Sequence, residues 1–404
     1  MISWFNRIER YLVLVLVFLF PTQLALHFWP SWSFIFGIRV DYLAPTLYLT
    51  DIFAVILIIF GFHEILEYKK YLSWLIIFSL INIIFSVSPS ASLFKWLKIL
   101  ELASLVIYFA NRVKSSDWKN IYQTLFLSLI FFSLIGIDQF FVGHTINGLL
   151  YLLGERSFSI STPGIALNSF FGRSLLRAYS TFPHPNVLAG YLGVSTIFLF
   201  LNGFFTANLK KIIGLVVITI CFFLTFSLTA LFAIAAISAI YLFIKNKKYL
   251  SRISICLLLI IIISSLFMPI VSERILSGIS FDKNISERLT LSIISGKTIS
   301  QNFWLGTGLN TFTISMTRIK PLITSSWLLQ PVHNIFLLTL SEAGIFGLLL
   351  LILYFYKSIK VFPLIFIFIL ITGFFDHYWL DSQQNLLLLA LISARVLTPK
   401  TGNN

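Results

Sequence analysis

Apolar runs of about 15–25 residues recur along the whole chain, separated by short polar stretches, and runs of that length suit helices that cross a bilayer. The pattern predicts spans at 11–28, 45–62, 71–87, 92–110, 120–142, 186–204, 211–226, 228–244, 253–269, 333–356, 361–375 and 383–396. One long run is divided at the polar step from Ser227 to Thr229. The first run, YLVLVLVFLFPTQLALHF, lacks a small-residue cleavage site, so it is expected to be a retained span rather than a signal peptide. The expected fold class is all-α: a polytopic integral membrane protein, one domain over residues 1–404, with about 12 transmembrane helices.

Charge orients those helices. Arg7 and Arg10, Lys69 and Lys70, Arg112 and Lys114, Lys210 and Lys211, Lys245 to Arg252, Lys357 and Lys360, and Arg395 and Lys400 fall on alternate connections. By the positive-inside rule these connections and both termini are cytoplasmic. Two long connections are then extracytoplasmic, at 143–185 and 270–332. Both exceed ordinary loop lengths, and their many Phe, Leu, Ile and Trp residues argue against disorder. Both are expected to be partly helical, with NGLLYLLGERSF as a short interfacial helix in the first.

Composition fits this picture. The chain is 58% hydrophobic and only 11% charged, with a mean hydropathy of +0.93. The net charge of +14 lies in membrane-flanking clusters, which speaks for membrane lipids and against nucleic acid as partner. Cys221 and Cys256 both lie in apolar runs, where they would fill the core rather than form a disulfide or a metal site.

Candidate chemistry collects where the outer loops re-enter the membrane. In RAYSTFPHPNVLAG, Pro185 suits a first helical turn, so a span starts near Asn186 with His184 just outside it. Such a helix start favours an anion, and Arg177 adds a phosphate donor. The plain alternative is that Pro-His-Pro shapes the helix entry and His184 caps it. In PVHNIFLLTLSEAGIFG, His333 and Asn334 again follow a proline. His333 is the better candidate for moving a proton, since imidazole titrates near neutral pH. Glu342 sits on the opposite helix face about 13 Å deeper, where it would lock a neighbouring helix or pair with a cation. Gly344 and Gly347 allow close helix approach.

Lys95, Lys98 and Glu101 recur every three residues on the fourth span, either for an anionic head group or as a structural ion pair. The second outer loop carries Arg274, Lys283, Arg288, Lys297, Arg318 and Lys320, with Arg288 in SERLTL on an expected helix. Asp376, His377 and Asp381 lie near the eleventh span, but an adjacent Asp-His is a weak motif, because helix neighbours do not face one another. No phosphate loop, Cys/His metal spacing, nucleophile elbow or paired acidic motif is present in the sequence. The expectation is therefore no metal and no cofactor, with a phosphorylated lipid held outside the membrane as an already activated donor.

Together RAYSTFPHPNVLAGYL, GTGLNTF and HNIFLLTLSEAGIFG resemble the O-antigen ligase and O-antigen polymerase family of bacterial envelope proteins, over about 177–385. The resemblance implies metal-independent transfer of glycan from an undecaprenyl-diphosphate-linked oligosaccharide to a hydroxyl of a glycan, lipid or protein acceptor. It implies a bacterial cytoplasmic (inner) membrane location with the active site on the outer face. His333 matches the family's essential histidine, and Arg288 and Arg177 match arginines that hold the diphosphate. One departure stands out: Leu228 in FSLTA occupies the place of a middle-span arginine. The expected mechanism is inverting. His333 acts as base and Arg288 as catalytic cation, while Arg177, His184, Asn186, Lys95 and Lys98 bind the donor and Asn334, Glu342 and Glu101 support them. The alternative is a transporter that flips the lipid-linked oligosaccharide; it should line both leaflets with charge, whereas the charge here lies on the outer side.

Overall fold

The computed structural model describes residues 2–170, 173–206, 208–245, 279–319 and 328–398. Among them the chain is mostly helical, as the apolar pattern requires. The helices are α1 (Ile2–Phe18), α2 (Leu49–Phe60), α3 (Phe62–Glu67), α4 (Lys69–Ile84), α5 (Pro89–Arg112) and α6 (Trp118–Val142). They continue with α7 (Pro185–Leu201), α8 (Leu209–Leu224), α9 (Leu228–Lys245), α10 (Ile279–Gln301) and α11 (Phe312–Ile319). The last are α12 (Ile335–Val361), α13 (Pro363–Phe375), the single turn α14 (Tyr378–Asp381) and α15 (Gln383–Leu397).

Each expected span on described residues contains a helix, but α6 and α12 alone among them are both long and apolar enough to cross a membrane by that measure. The expected span 253–269, with Cys256, lies outside the described residues. The first span is corrected. The helix ends at Phe18, and a turn from Leu19 to Pro21 leads towards β1 (Ala25–His27). β1 pairs antiparallel with β4 (Thr46–Tyr48), enclosing a small hairpin of β2 (Phe34–Ile35) and β3 (Ile38–Arg39). The run at 211–244 divides at Thr225–Ser227, next to the expected break.

One apolar core joins α1, α5, α6, α7, α8, α13 and α15, with Leu188, Tyr191, Phe366 and Leu391 fully buried. Cys221 is a buried free thiol in it. In the 143–185 connection, the expected interfacial helix is a 3-10 segment, Gly148–Leu153, followed by a hairpin of β5 (Leu167–Phe170) and β6 (Arg173–Leu176). Buried Glu155 orders that loop by accepting the amides of Ile146 (2.9 Å) and Asn147 (2.6 Å) and the side chain of Gln139 (2.7 Å).

The connection expected at 270–332 is clamped to α12. Gly344 breaks that helix with φ 65°, and Gly306 turns with φ 70°. Each presses its Cα face on the other segment's backbone, Gly306 on Glu342 and Gly344 on Trp304, where a Cβ would not fit. Thr307 N donates to Ser341 O, Gly308 N to Glu342 O and Ile345 N to Phe303 O, all at 2.9 Å. Glu342 completes the clamp. Its carboxylate accepts the amides of Asn310 (2.9 Å) and Phe312 (3.0 Å), capping α11. Of its two expected roles, locking a neighbouring helix is the one it performs.

Candidate active site

The corner between α13 and α14, Phe374 to His377, gathers most of the candidate residues. Asp376 has extended backbone (φ −156°, ψ 163°), so it and His377 lie at a bend rather than along a helix. The expectation of a weak motif fails for that reason: the geometry of helix neighbours does not apply here. The clue in the sequence was an Asp-His step ending an apolar run.

His333 and Asn334 approach this corner from the segment just before α12. Asn334 caps α12 through Oδ1, accepting Phe336 N and Leu337 N at 2.9 Å each, and its Nδ2 donates to Phe374 O at 3.0 Å. That leaves the His333 ring 5.2 Å from the His377 ring, inclined by 65°. His333 Nδ1 is buried and has no hydrogen-bond partner among the described residues. His377 Nδ1 is 2.6 Å from Asp381 Oδ2, and Tyr42 packs its edge against the His377 ring at 5.6 Å. Arg288, on α10, donates from Nη1 to Phe375 O at 2.5 Å.

From the first motif, Arg177 reaches the same corner indirectly. Its guanidinium is buried and donates from Nε to Thr225 O at 2.6 Å and from Nη2 to Asn186 Oδ1 at 2.8 Å. Asn186 Nδ2 then donates to Asp376 Oδ2 at 3.2 Å. Asp376 Oδ1 accepts His377 N at 2.8 Å. Arg177 thereby brings a cation to the α8–α9 junction, three residues before Leu228. His184 takes the plainer of its expected roles: it is the N-cap of α7, its Nδ1 accepting Asn186 N at 3.1 Å.

The electrostatics separate the two neighbouring imidazoles. Burial pushes His333 down to about 3, against the pull of Asp376. Burial also disfavours charge on His377, but Asp381 and then Asp376 outweigh it and hold that imidazole above its ordinary value. Burial opposes the charge of Asp376 too, yet His377, His333 and Arg288 keep its carboxyl below the usual range. His184 is pushed down to about 3, first by burial and then by Arg177. One grouping among the described residues has the donor set for a metal ion, His333, Asp376 and His377, whose ligand atoms lie within 4.8 Å of one another.

The remaining candidates lie apart. Lys98 pairs with both Asp51 and Glu101, the latter at 3.3 Å, and Gln383 donates to Asp51 at 2.7 Å. The structural alternative for Lys98 and Glu101 is thus the one observed, and Asp51 was missed because nothing in local spacing marks it. Lys95 is half-buried and has no carboxylate within 4 Å among the described residues. In the 270–332 connection Lys297 and Arg318 are exposed, while Arg274, Lys320 and the Lys283 side chain lie outside what is described.

Residues 213–352 match the profile of a family described as O-antigen ligase. The match runs from α8 into α12 and includes Arg288, the Gly306–Gly308 turn, His333 and Glu342. Arg177 and the Asp376–His377 corner lie outside it. A search of curated proteins finds no match.

Proposed function

We propose, from the premise that the match over 213–352 supports assigning this chain to the O-antigen ligase/polymerase family, that it is a membrane glycosyltransferase using undecaprenyl diphosphate as the donor carrier. The family assignment supports glycosyl transfer at a bacterial inner membrane, with a lipid-linked oligosaccharide and an acceptor as substrates in general terms. Twelve spans with both termini cytoplasmic would set the corner at Asp376 on the outer face, where lipid-linked sugar and acceptor meet.

The reaction is an inverting displacement. The acceptor hydroxyl gives its proton to a ring nitrogen of His333 while its oxygen bonds to the anomeric carbon. The bond from that carbon to the diphosphate oxygen breaks, and undecaprenyl diphosphate leaves with the electron pair. Arg288 and the start of α7 at Pro185–Asn186 face that developing charge, and Arg177 supports it through Asn186. Lys95 takes the donor-binding role expected of both lysines, since Asp51 and Glu101 already neutralise Lys98.

One observation carries this reading. The family-matched His333 stands beside Asp376, and Asp376 is tied through Asn186 to the arginine of the first motif. Supplying purified protein with an undecaprenyl-diphosphate oligosaccharide and analysing the products tests it. A ladder of lengths on the same lipid identifies a polymerase, and glycan moved to another acceptor identifies a ligase. Movement across the bilayer with no bond change would overturn the enzyme reading.

A further inference from the structure

Nδ1 of the His333 imidazole is buried and lacks a partner among the described residues, whereas buried polar atoms are nearly always hydrogen-bonded. Its surroundings are those of a metal ligand set. Asp376 and His377 each bring a ligand atom within 4.8 Å of it and of each other. With His377 Nδ1 bound to Asp381 at 2.6 Å, Nε2 is the nitrogen left for a ligand. A carboxylate behind a ligating histidine is the usual outer support of such a site. Asp376 is held from two sides, by Asn186 Nδ2 at 3.2 Å and by His377 N at 2.8 Å.

Two imidazoles and one carboxylate suit a borderline ion that accepts tetrahedral geometry, not magnesium or calcium. Ligand atoms around tetrahedral zinc stand about 3.3 Å apart. The three side chains would therefore close by up to about 1.5 Å, which leaves a fourth position for water. Asp376 and Asp381 offset the charge of Arg288 near the ion.

We propose that His333, Asp376 and His377 form an inhibitory site for a divalent ion of the zinc class. Occupancy ties up the imidazole that transfer requires, so the same residues serve transfer without metal and are blocked by it. The inhibition rests on the reading of His333 as base; the binding does not.

Purified protein, stripped with chelator, is titrated with Zn²⁺ against a chromophoric competitor and its metal content measured. One ion per chain is expected. Asp376→Asn and His377→Gln should abolish tight binding, and Asp381→Asn should weaken it about 10- to 100-fold. Thermal unfolding without metal identifies any variant that has simply failed to fold, and Co²⁺ absorption in the unmodified protein reads tetrahedral geometry directly. Transfer should fall as zinc saturates the site and recover on chelation. Absence of saturable binding, or binding undiminished in folded Asp376→Asn and His377→Gln, overturns the site while leaving the transfer reading intact. Activation by zinc overturns both the inhibition and the metal-free mechanism.

Discussion

The Asn186 side chain donates to Asp376 at 3.2 Å and joins segments 190 residues apart. On its other side the same amide accepts from Arg177 at 2.8 Å. A neutral side chain thus relays between a buried cation and the carboxylate beside His333. Asn186→Ala removes both bonds at once. A net loss of about 1–3 kcal/mol of stability is expected from the two partners left short, together with a fall in transfer of at least about tenfold, since 1.4 kcal/mol of lost positioning is tenfold in rate. Thermal unfolding and turnover measured on one preparation check this. Unchanged turnover would make the relay structural only.

Arg288 spends Nη1 on Phe375 O, which leaves the rest of its planar fork for an oxyanion. Lysine cannot hold that carbonyl and a phosphate in one fixed geometry. Arg288→Lys should therefore be impaired nearly as much as Arg288→Ala, by about 10²-fold or more in turnover. Full activity in Arg288→Lys would reduce Arg288 to a packing residue.

Lys98 stands between Asp51 and Glu101, with side-chain exposures of 12%, 2% and 15%. Lys98→Met leaves two buried carboxylates without their cation, an arrangement that costs about 3–5 kcal/mol. Lower expression and an earlier unfolding transition are expected, and adding Asp51→Asn should restore part of the loss. Lys95→Met should instead weaken donor binding at little cost in stability. The opposite pattern, donor affinity lost at Lys98 and stability lost at Lys95, would exchange the two roles.

Much of this arrangement was legible in the chain, and the reasons are local. Pro185 and Asn334 announced the starts of α7 and α12 because capping chemistry is written in adjacent residues. Gly344 marked the close approach, now seen against the Trp304 backbone. What stayed hidden depends on contacts between distant segments. Asp51 meets Gln383 across 332 residues, and no spacing rule carries that information. The α13–α14 corner looked like helix because apolar runs flank it, so Asp376 and His377 were read in the wrong geometry. The β5–β6 hairpin is four residues per strand, too short for a periodic signal.

Orientation can be checked without any activity. In a background with Cys221 and Cys256 replaced by alanine, cysteines are placed at the exposed positions Ser115 and Ser161. Ser115 lies in the α5–α6 connection and Ser161 in the 143–185 connection, which the charge pattern puts outside. A membrane-impermeant maleimide applied to intact cells should label position 161 and spare 115. Labelling of 115 from outside would invert the topology and put the Asp376 corner on the cytoplasmic face.

His333 decides the mechanism. It stands just before α12, half-buried, beside the Asp376–His377 corner, and burial keeps its imidazole uncharged. An uncharged ring can accept the hydroxyl proton as the new glycosidic bond forms, a role worth about 10²–10⁴-fold in rate. His333→Ala should insert and fold normally, because the ring's Nδ1 holds no hydrogen bond among the described residues that the fold would lose. Donor binding should persist, since the cations that face the diphosphate lie on other elements. Transfer should fall by about 10²–10⁴-fold, and chelators should not lower the unmodified enzyme's rate. Near-normal turnover in His333→Ala would move the base to His377, whose Nδ1 is held by Asp381. His184 is the poorer substitute, because its Nδ1 already caps α7. Loss of transfer on chelation would replace the metal-free displacement with one in which an ion, not the imidazole, activates the acceptor.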